Sequence, residues 1–166
     1  MNKVKTILGL AFVCILSGCA SAPVALSSVG PNPYALPDGS QNGQLEVFSA
    51  LVGRIEGDNP TWFQHTDYRI LTPQHGLVKR VDNTVGYYAE SPRIIALPAG
   101  TYLVEAQAKD YFLVEVPVVI QTGKLTVVHL DNNWSPSPGT SRELVKYAPN
   151  GWPIGWSADQ TGRTNE

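Results

Sequence analysis

Two His-x-Asp pairs stand out among the residues that could do chemistry: His65 with Asp67, and His129 with Asp131. Residues two apart on a β-strand lie on the same face, so each pair could offer two ligands to one metal ion. Two imidazoles and two carboxylates would suit zinc or another divalent ion, and so a metal-dependent enzyme. The alternative is that these polar residues end strands and face water, because this spacing is common by chance in a β-rich chain. We expect no metal centre and keep the four residues only as candidates.

Other catalytic arrangements are not indicated. A serine hydrolase would carry its nucleophile in a motif such as G-x-S-x-G, which does not occur. A glycosidase needs two carboxylates across a cleft, and many pairs would serve equally well. The acidic residues that could be invoked are Glu46, Glu56, Asp58, Glu90, Glu105 and Glu115. We therefore expect a protein that is not an enzyme, with no catalytic residue and no cofactor.

The two cysteines, Cys14 and Cys19, lie within or just after the only long apolar run. The chain opens with Lys3 and Lys5 and no acidic residue, and residues 6–17 carry no charge. A positive start, a short apolar stretch and small residues at its end are typical of a secretory signal peptide. The run is shorter than the roughly 20 residues that span a bilayer.

Residues 16–19, Leu-Ser-Gly-Cys, resemble the lipobox of bacterial lipoproteins. The resemblance implies that the chain is cut after residue 18, that the thiol of Cys19 carries diacylglycerol, and that the new amine is acylated with a fatty acid such as palmitate. Two or more fatty chains anchor a protein stably, whereas one does so only marginally. Ala20, where retained inner-membrane lipoproteins have Asp, implies the outer membrane. We expect a cell-envelope protein, facing the periplasm or the surface.

Lipidation would leave the mature protein without a free thiol or disulfide, which excludes cysteine catalysis and cysteine zinc sites. The whole chain has a net charge of −2 and becomes more acidic when Lys3 and Lys5 leave with the signal peptide. No basic stripe is present, so nucleic acid is not an expected partner. The expected partners are the membrane, through the lipid, and an envelope protein or glycan.

The mature chain divides into three parts. Residues 19–43 are rich in Ala, Ser and Pro and predict a flexible lipid-anchored tether, because proline resists both helix and sheet. At about 3.1 Å per residue, such a tether could hold the domain several tens of ångströms from the lipid. Residues 44–131 predict the folded domain. Residues 132–166 predict an aromatic C-terminal extension that packs on the domain and ends in disorder.

Short runs rich in Val, Ile, Leu and Tyr, separated by turn residues, fill residues 44–131. This pattern predicts an all-β fold, an antiparallel β-sandwich of about seven strands. Val116 is expected to face the core. Pro117 lies within its strand and predicts an edge strand or a bulge, because it cannot donate to a ladder. Residues 121–124 predict a hairpin loop with Gly123 at positive φ.

The run LPAGTYLVEAQAKDYFLVEVPVVIQTGKLTVVHLD, residues 97–131, resembles the C-terminal half of carboxypeptidase regulatory-like and transthyretin-like domains. The shared pattern is an apolar residue, Pro, a Gly, a Tyr-x-Val strand, a Val-rich strand, a Gly turn and a Thr-Val strand. The resemblance implies a β-sandwich that acts as an accessory or adhesive module without catalytic residues.

Four tryptophans lie in predicted loops or in the C-terminal extension, where Pro149-Asn150-Gly151 predicts a hairpin turn. Exposed rings on a β-sandwich could stack on sugars and make a glycan- or peptide-binding module. Alternatively, the rings cover the sandwich and hold the extension to it, since burying one ring is worth about 2–3 kcal/mol. We expect the second, and expect Trp152 to be the more buried ring of the hairpin. The four residues are Trp62, Trp134, Trp152 and Trp156.

Overall fold

The computed structural model describes residues 22–56, 59–85 and 91–159. Those residues form thirteen β-strands and one short 3₁₀ helix, so the all-β prediction is confirmed. None of them forms a helix long and apolar enough to cross a bilayer. The strands are β1 (Val24–Ala25), β2 (Val29–Gly30), β3 (Gly43–Phe48), β4 (Leu51–Glu56), β5 (Asn59–His65), β6 (Tyr68–Leu71), β7 (Leu77–Val81), β8 (Ile95–Leu97), β9 (Gly100–Ala108), β10 (Tyr111–Ile120), β11 (Leu125–His129), β12 (Val145–Tyr147) and β13 (Pro153–Ser157), and the 3₁₀ helix is Arg142–Leu144.

Two sheets face each other as a sandwich. The larger sheet has the strand order β12-β13-β2-β10-β9-β6-β7, with β1 also paired to β10, and the smaller has the order β11-β3-β8. Side chains alternate between core and surface along β3, where Leu45 and Val47 are fully buried. The opposite layer contributes Val114, Val116 and Val118, which are also fully buried. The inward orientation predicted for Val116 is therefore confirmed.

The sheets are mixed rather than purely antiparallel. β1 and β2 pair parallel to β10, and β11 pairs parallel to β3. The turn at residues 121–124 has Gly123 at φ 69°, as predicted. It does not close a hairpin, however, because β10 belongs to the larger sheet and β11 to the smaller one. Turn chemistry specifies a reversal of the chain and leaves open which sheet the next strand joins.

Pro117 lies in a central strand, which differs from the prediction of an edge strand or bulge. On one side of β10 it is aligned with Leu103 of β9. On the other side, β1 pairs with Val114 and Glu115, and β2 pairs with Val118. The missing N–H of Pro117 is tolerated because the neighbouring chain is interrupted between these two short strands.

The described part of the predicted tether also differs from expectation. Residues 22–43 supply β1 and β2, and Val29 is fully buried. Leu26 is 8% exposed, and its backbone N–H donates to the carbonyl of Glu115 at 2.8 Å. Pro31 forms an isolated bridge with Thr126 of the opposite sheet. Prolines are accommodated at the ends of very short strands, so their abundance does not prevent this segment from joining the sheet.

The hairpin formed by β4 and β5 is separate from both sheets. Within the described residues, these two strands pair with each other alone. Two backbone hydrogen bonds fix the base of the hairpin. The N–H of Ala50 donates to the carbonyl of Gln107 at 2.8 Å, and the N–H of Thr66 donates to the carbonyl of Ala50 at 2.9 Å.

The C-terminal extension is part of the larger sheet. β12 and β13 form the predicted hairpin, with Gly151 at φ 88°, and β13 pairs with β2. Ile154 is 2% exposed and Val145 is 4% exposed. The side-chain amide of Asn150 donates to Asp110 Oδ2 at 3.1 Å, which joins the turn of the extension to the β9–β10 turn. Residues 160–166, predicted to be disordered, lie outside the described part of the chain.

Candidate functional site

Six aromatic rings form a continuous ladder, of which Phe48 and His129 lie on the outer face of the smaller sheet. Phe48 and His129 occupy matched positions of β3 and β11, and their rings stack with centroids 4.8 Å apart. Trp134, from the loop after β11, stacks on the other face of His129 with a centroid separation of 4.7 Å. The full order of the ladder is His65, Phe48, His129, Trp134, Trp156 and Tyr34.

The central imidazole of this ladder is held neutral. The pKa of His129 is lowered from 6.5 to about 4, mainly by burial; the charge of Asp131 opposes the shift, and His65 adds a smaller lowering. Burial disfavours the charged form, so the imidazole packs between the two aromatic rings as a neutral group. The ladder therefore joins β3, β11 and the C-terminal extension in one stack near neutral pH.

At one end of the ladder, His65 is 7% exposed and meets Phe48 edge-on at 5.4 Å. Its Nδ1 lies 2.7 Å from the carbonyl oxygen of Ser49, so Nδ1 carries the proton and donates. At the other end, Trp134 and Trp156 meet at 69° with centroids 5.8 Å apart, and Tyr34 contacts Trp156 edge-on. Tyr34 is 69% exposed, so this end of the ladder reaches the surface.

A buried polar network lies beside the base of the β4–β5 hairpin. Asn83 is 1% exposed; its amide donates to the carbonyl of Val47 at 2.8 Å and to Ser49 Oγ at 3.2 Å. Its side-chain oxygen accepts from the backbone N–H of Arg93 at 3.1 Å. Ser49 Oγ in turn donates to the carbonyl of Thr66 at 2.6 Å. One side chain thus joins the end of β3, the hairpin base and the chain before β8.

The four metal-ligand candidates do not form one coordination sphere. The ring of Phe48 contacts both His65 and His129. Asp67 accepts the backbone N–H of Asn83 at 3.1 Å, and Asp131 is a 4% exposed residue at the end of β11. Across residues 22–56, 59–85 and 91–159, no three His, Cys, Asp or Glu side chains are grouped as a metal site would require.

Trp62 lies in β5 rather than in a loop, whereas Trp156 lies in β13, one arm of the hairpin predicted for the C-terminal extension. Trp156 is half-buried between Trp134 and Tyr34, whereas Trp152 is 44% exposed. The expectation that Trp152 is the more buried ring of the hairpin is therefore wrong. β13 turns Trp156 toward the ladder, while Trp152 precedes the strand and lies in the turn.

A shallow groove of about 590 Å³ runs along β6, β7 and β9, with Arg69, Arg80 and Glu105 in its lining. Arg69 Nε donates to Glu105 Oε1 at 2.7 Å, so one of the two guanidinium groups already has a carboxylate partner. The groove is open to solvent, although its lining also includes the buried residues Tyr68, Val81 and Ala106. This geometry does not enclose a ligand.

Sequence reasoning did not identify Phe48 and Tyr34 as members of the ladder. Phe48 joins it only because β3 and β11 pair in parallel, with Phe48 beside His129. The period-two pattern could have placed Phe48 on the outer face, but not beside this histidine. Cys19, the predicted lipid site, lies outside the described residues.

Comparison with known proteins gives no family for the chain. No protein-family model, no curated protein and no solved structure matches it. The resemblance to carboxypeptidase regulatory-like and transthyretin-like domains therefore stays a prediction, and functional arguments depend on the residues themselves.

Proposed function

We propose that this protein is a lipid-anchored, non-catalytic component of the bacterial cell envelope, held in the outer membrane through Cys19, whose β-sandwich has a structural or interaction role. The observation that carries the proposal is the sequence Leu-Ser-Gly-Cys directly after the uncharged run of residues 6–17. β1 begins at Val24, five residues after Cys19, so a lipid on Cys19 would hold the sandwich close to the membrane.

Metabolic labelling with a fatty-acid analogue tests the anchor. The wild-type chain should incorporate label and migrate as the processed form. Cys19→Ala should incorporate none and accumulate as the unprocessed precursor. Cys14→Ala is the matched control, because it removes the other cysteine and should leave labelling and processing unchanged. Label retained in Cys19→Ala would refute the anchor.

Membrane fractionation tests the compartment. The wild-type protein should sediment with outer-membrane fractions, because Ala20 does not provide the inner-membrane retention signal. Ala20→Asp should move the protein toward the inner-membrane fractions without changing its lipid label. Equal distribution of the two variants would contradict outer-membrane sorting through residue 20.

The interaction role is tested by crosslinking the lipidated protein in intact cells, followed by purification from envelope extracts. We expect a specific protein to be recovered with wild type and not with an unrelated lipoprotein of the same abundance. Recovery of the same proteins from both would remove the interaction role.

Glycan binding is the second candidate function, favoured by the partial exposure of the ladder end at Tyr34 and of Trp152. It would need at least two exposed tryptophans on one surface. Of the three whose side chains are described, Trp134 and Trp156 are half-buried and contact each other. Titration with soluble peptidoglycan fragments should therefore leave the tryptophan emission unchanged; a saturable change lost in Trp156→Ala would favour the glycan.

A further inference from the structure

The first strand of the chain and the β4–β5 hairpin lie at the same end of the sandwich. Val24 of β1 pairs with Val114, and Val114 pairs with Ala106 across β10 and β9. The next residue of β9, Gln107, accepts the backbone hydrogen bond from Ala50, where the hairpin begins. A few strand widths, each about 5 Å, therefore separate the start of β1 from the base of the hairpin.

The hairpin projects beyond this end of the sandwich. β3 runs toward it and continues through Ser49 and Ala50 into β4. β5 returns through Thr66 into β6, which runs back into the larger sheet. The first residue of β6, Tyr68, pairs with Ala106 of β9. Six residues of β4 extend about 20 Å.

The described side chains near the base of the hairpin are apolar and exposed. Leu51, Val52 and Phe63 are 39%, 53% and 47% exposed. The pairing places Leu51 and Phe63 on one face of the hairpin and Val52 on the other. Exposed apolar side chains grouped on one projecting element mark a contact surface. A two-stranded hairpin without a further partner is only marginally stable in water, so this surface favours an occupant.

The position of Cys19 identifies that occupant. Because β1 runs parallel to β10, the chain reaches Val24 from outside the same end from which the hairpin projects. The five residues from Cys19 to Val24 can span at most about 17 Å. A lipid on Cys19 would therefore hold this end of the sandwich beside the bilayer, within the reach of the hairpin.

We propose that the β4–β5 hairpin is a second membrane contact, with Leu51, Val52 and Phe63 in the interfacial layer of the same leaflet that holds the Cys19 lipid. This inference rests on the lipidation of Cys19 given under the proposed function. Membrane anchoring is stronger with two signals than with one, and the hairpin would also fix the orientation of the sandwich on the surface.

A fluorescent probe at single cysteines tests the contact. Two variants of the purified lipidated protein, Val52→Cys and Leu77→Cys, are each labelled with an environment-sensitive fluorophore. Each is placed in vesicles of phosphatidylethanolamine and phosphatidylglycerol. The vesicles also contain a lipid with a nitroxide quencher near its headgroup. Leu77 is the matched control: it is also 53% exposed, and it pairs with Leu71, which is aligned with Leu103 toward the opposite end of β9. The Val52 probe should lose most of its emission and shift to the blue, whereas the Leu77 probe should change little.

Flotation of the vesicles separates failure of the anchor from failure of the contact. Protein that does not float with the vesicles contradicts lipidation and, with it, the contact. Protein that floats while the Val52 probe is quenched no more than the Leu77 probe overturns the membrane contact alone. Efficient disulfide crosslinking of unlabelled Val52→Cys to a second copy on the vesicles would overturn it as well. Phe63→Asp, added to the Val52-labelled protein, should reduce the quenching, because a charge on the other face of the same hairpin opposes its entry into the interfacial layer.

Discussion

The indole of Trp134 lies parallel to the imidazole of His129, with ring centroids 4.7 Å apart and planes 5° apart. Since Phe48 stacks on His129 at 4.8 Å, the imidazole is enclosed between two aromatic rings. This arrangement connects β11 to the C-terminal extension through ring contacts. It also makes the charge of His129 matter for stability.

Stability should fall as the pH is lowered from 6.5 toward 4. Burial lowers the pKa of His129 to about 4 in the folded protein, so the unfolded chain, with its ordinary value of 6.5, binds more protons between these limits. Folding stability therefore rises with pH across this window, and about 3 kcal/mol is lost as the pH falls through it. His129→Phe keeps a ring in the stack and should reduce this slope. Urea unfolding of the unlipidated chain from residue 22 onward, at several pH values, measures how stability depends on pH in the wild type and in His129→Phe. Equal pH dependence in the two proteins would contradict the role of His129.

The two tryptophans of the C-terminal hairpin should differ in their contribution to stability. Trp156→Ala should cost about 2 kcal/mol, because a half-buried ring loses less than the roughly 3–5 kcal/mol of a fully buried one. Trp152 is 44% exposed, so Trp152→Ala should change the free energy of unfolding by about 0.5 kcal/mol or less. Denaturant unfolding measures both. A larger loss with Trp152→Ala would show that the turn, rather than the ladder, holds the extension.

Val116→Asp should prevent stable folding. Val116 is fully buried between two sheets, so the substitution places an unpaired carboxylate in the core at a cost of several kcal/mol. That cost is comparable to the whole stability of a small domain, commonly about 5–15 kcal/mol. Val119→Asp, on the opposite face of the same strand, is the control and should cost clearly less. Thermal melts of the two variants measure the loss of stability from each substitution. Similar losses would contradict the inward orientation of Val116 and the outward orientation of Val119.

Asn83→Ala should destabilise the protein by about 2–3 kcal/mol, because the carbonyl of Val47 and the N–H of Arg93 would lose buried partners. Asp82→Ala is the control: Asp82 is exposed, its carboxylate accepts a local hydrogen bond from the backbone N–H of Thr84, and the substitution keeps the backbone carbonyl that accepts from Arg93 Nε. Hydrogen exchange should also show faster opening at Ser49 and Thr66 in Asn83→Ala. Equal stability of the two variants would indicate that Asn83 is not the centre of the network.

The period-two pattern predicted the fold class because burial alternates strictly along strands such as β3. This alternation can be read from neighbouring residues of the sequence. Strand partners were not predictable in the same way. Pro117 favoured an edge strand, yet the neighbouring strand is interrupted opposite it, which only the folded chain reveals. The proline-rich segment around Val29 likewise hides two strands of two residues each, too short to produce a pattern.

The candidate site was predictable in its residue types and not in its grouping. Aromatic side chains in the C-terminal extension suggested a packing role, and Trp156 has one. The stack itself depends on the parallel alignment of Phe48 with His129, which is set by contacts between distant parts of the chain. Trp152 and Trp156 differ in exposure because of where β13 begins, a boundary that the sequence does not mark.

The pairing of Val29 with Ser157 bears on how the chain reaches its native state. β2 lies between β10 and β13, so a strand made earlier in synthesis is completed on one side by a strand that lies more than a hundred residues later in the chain. Such a topology has a high contact order, and closing a loop of that length slows folding. The sheet cannot be finished until residue 157 has emerged, and until then an unpaired strand edge is open to aggregation. A chain of this design would gain from a chaperone that keeps its N-terminal third accessible while the rest is delivered.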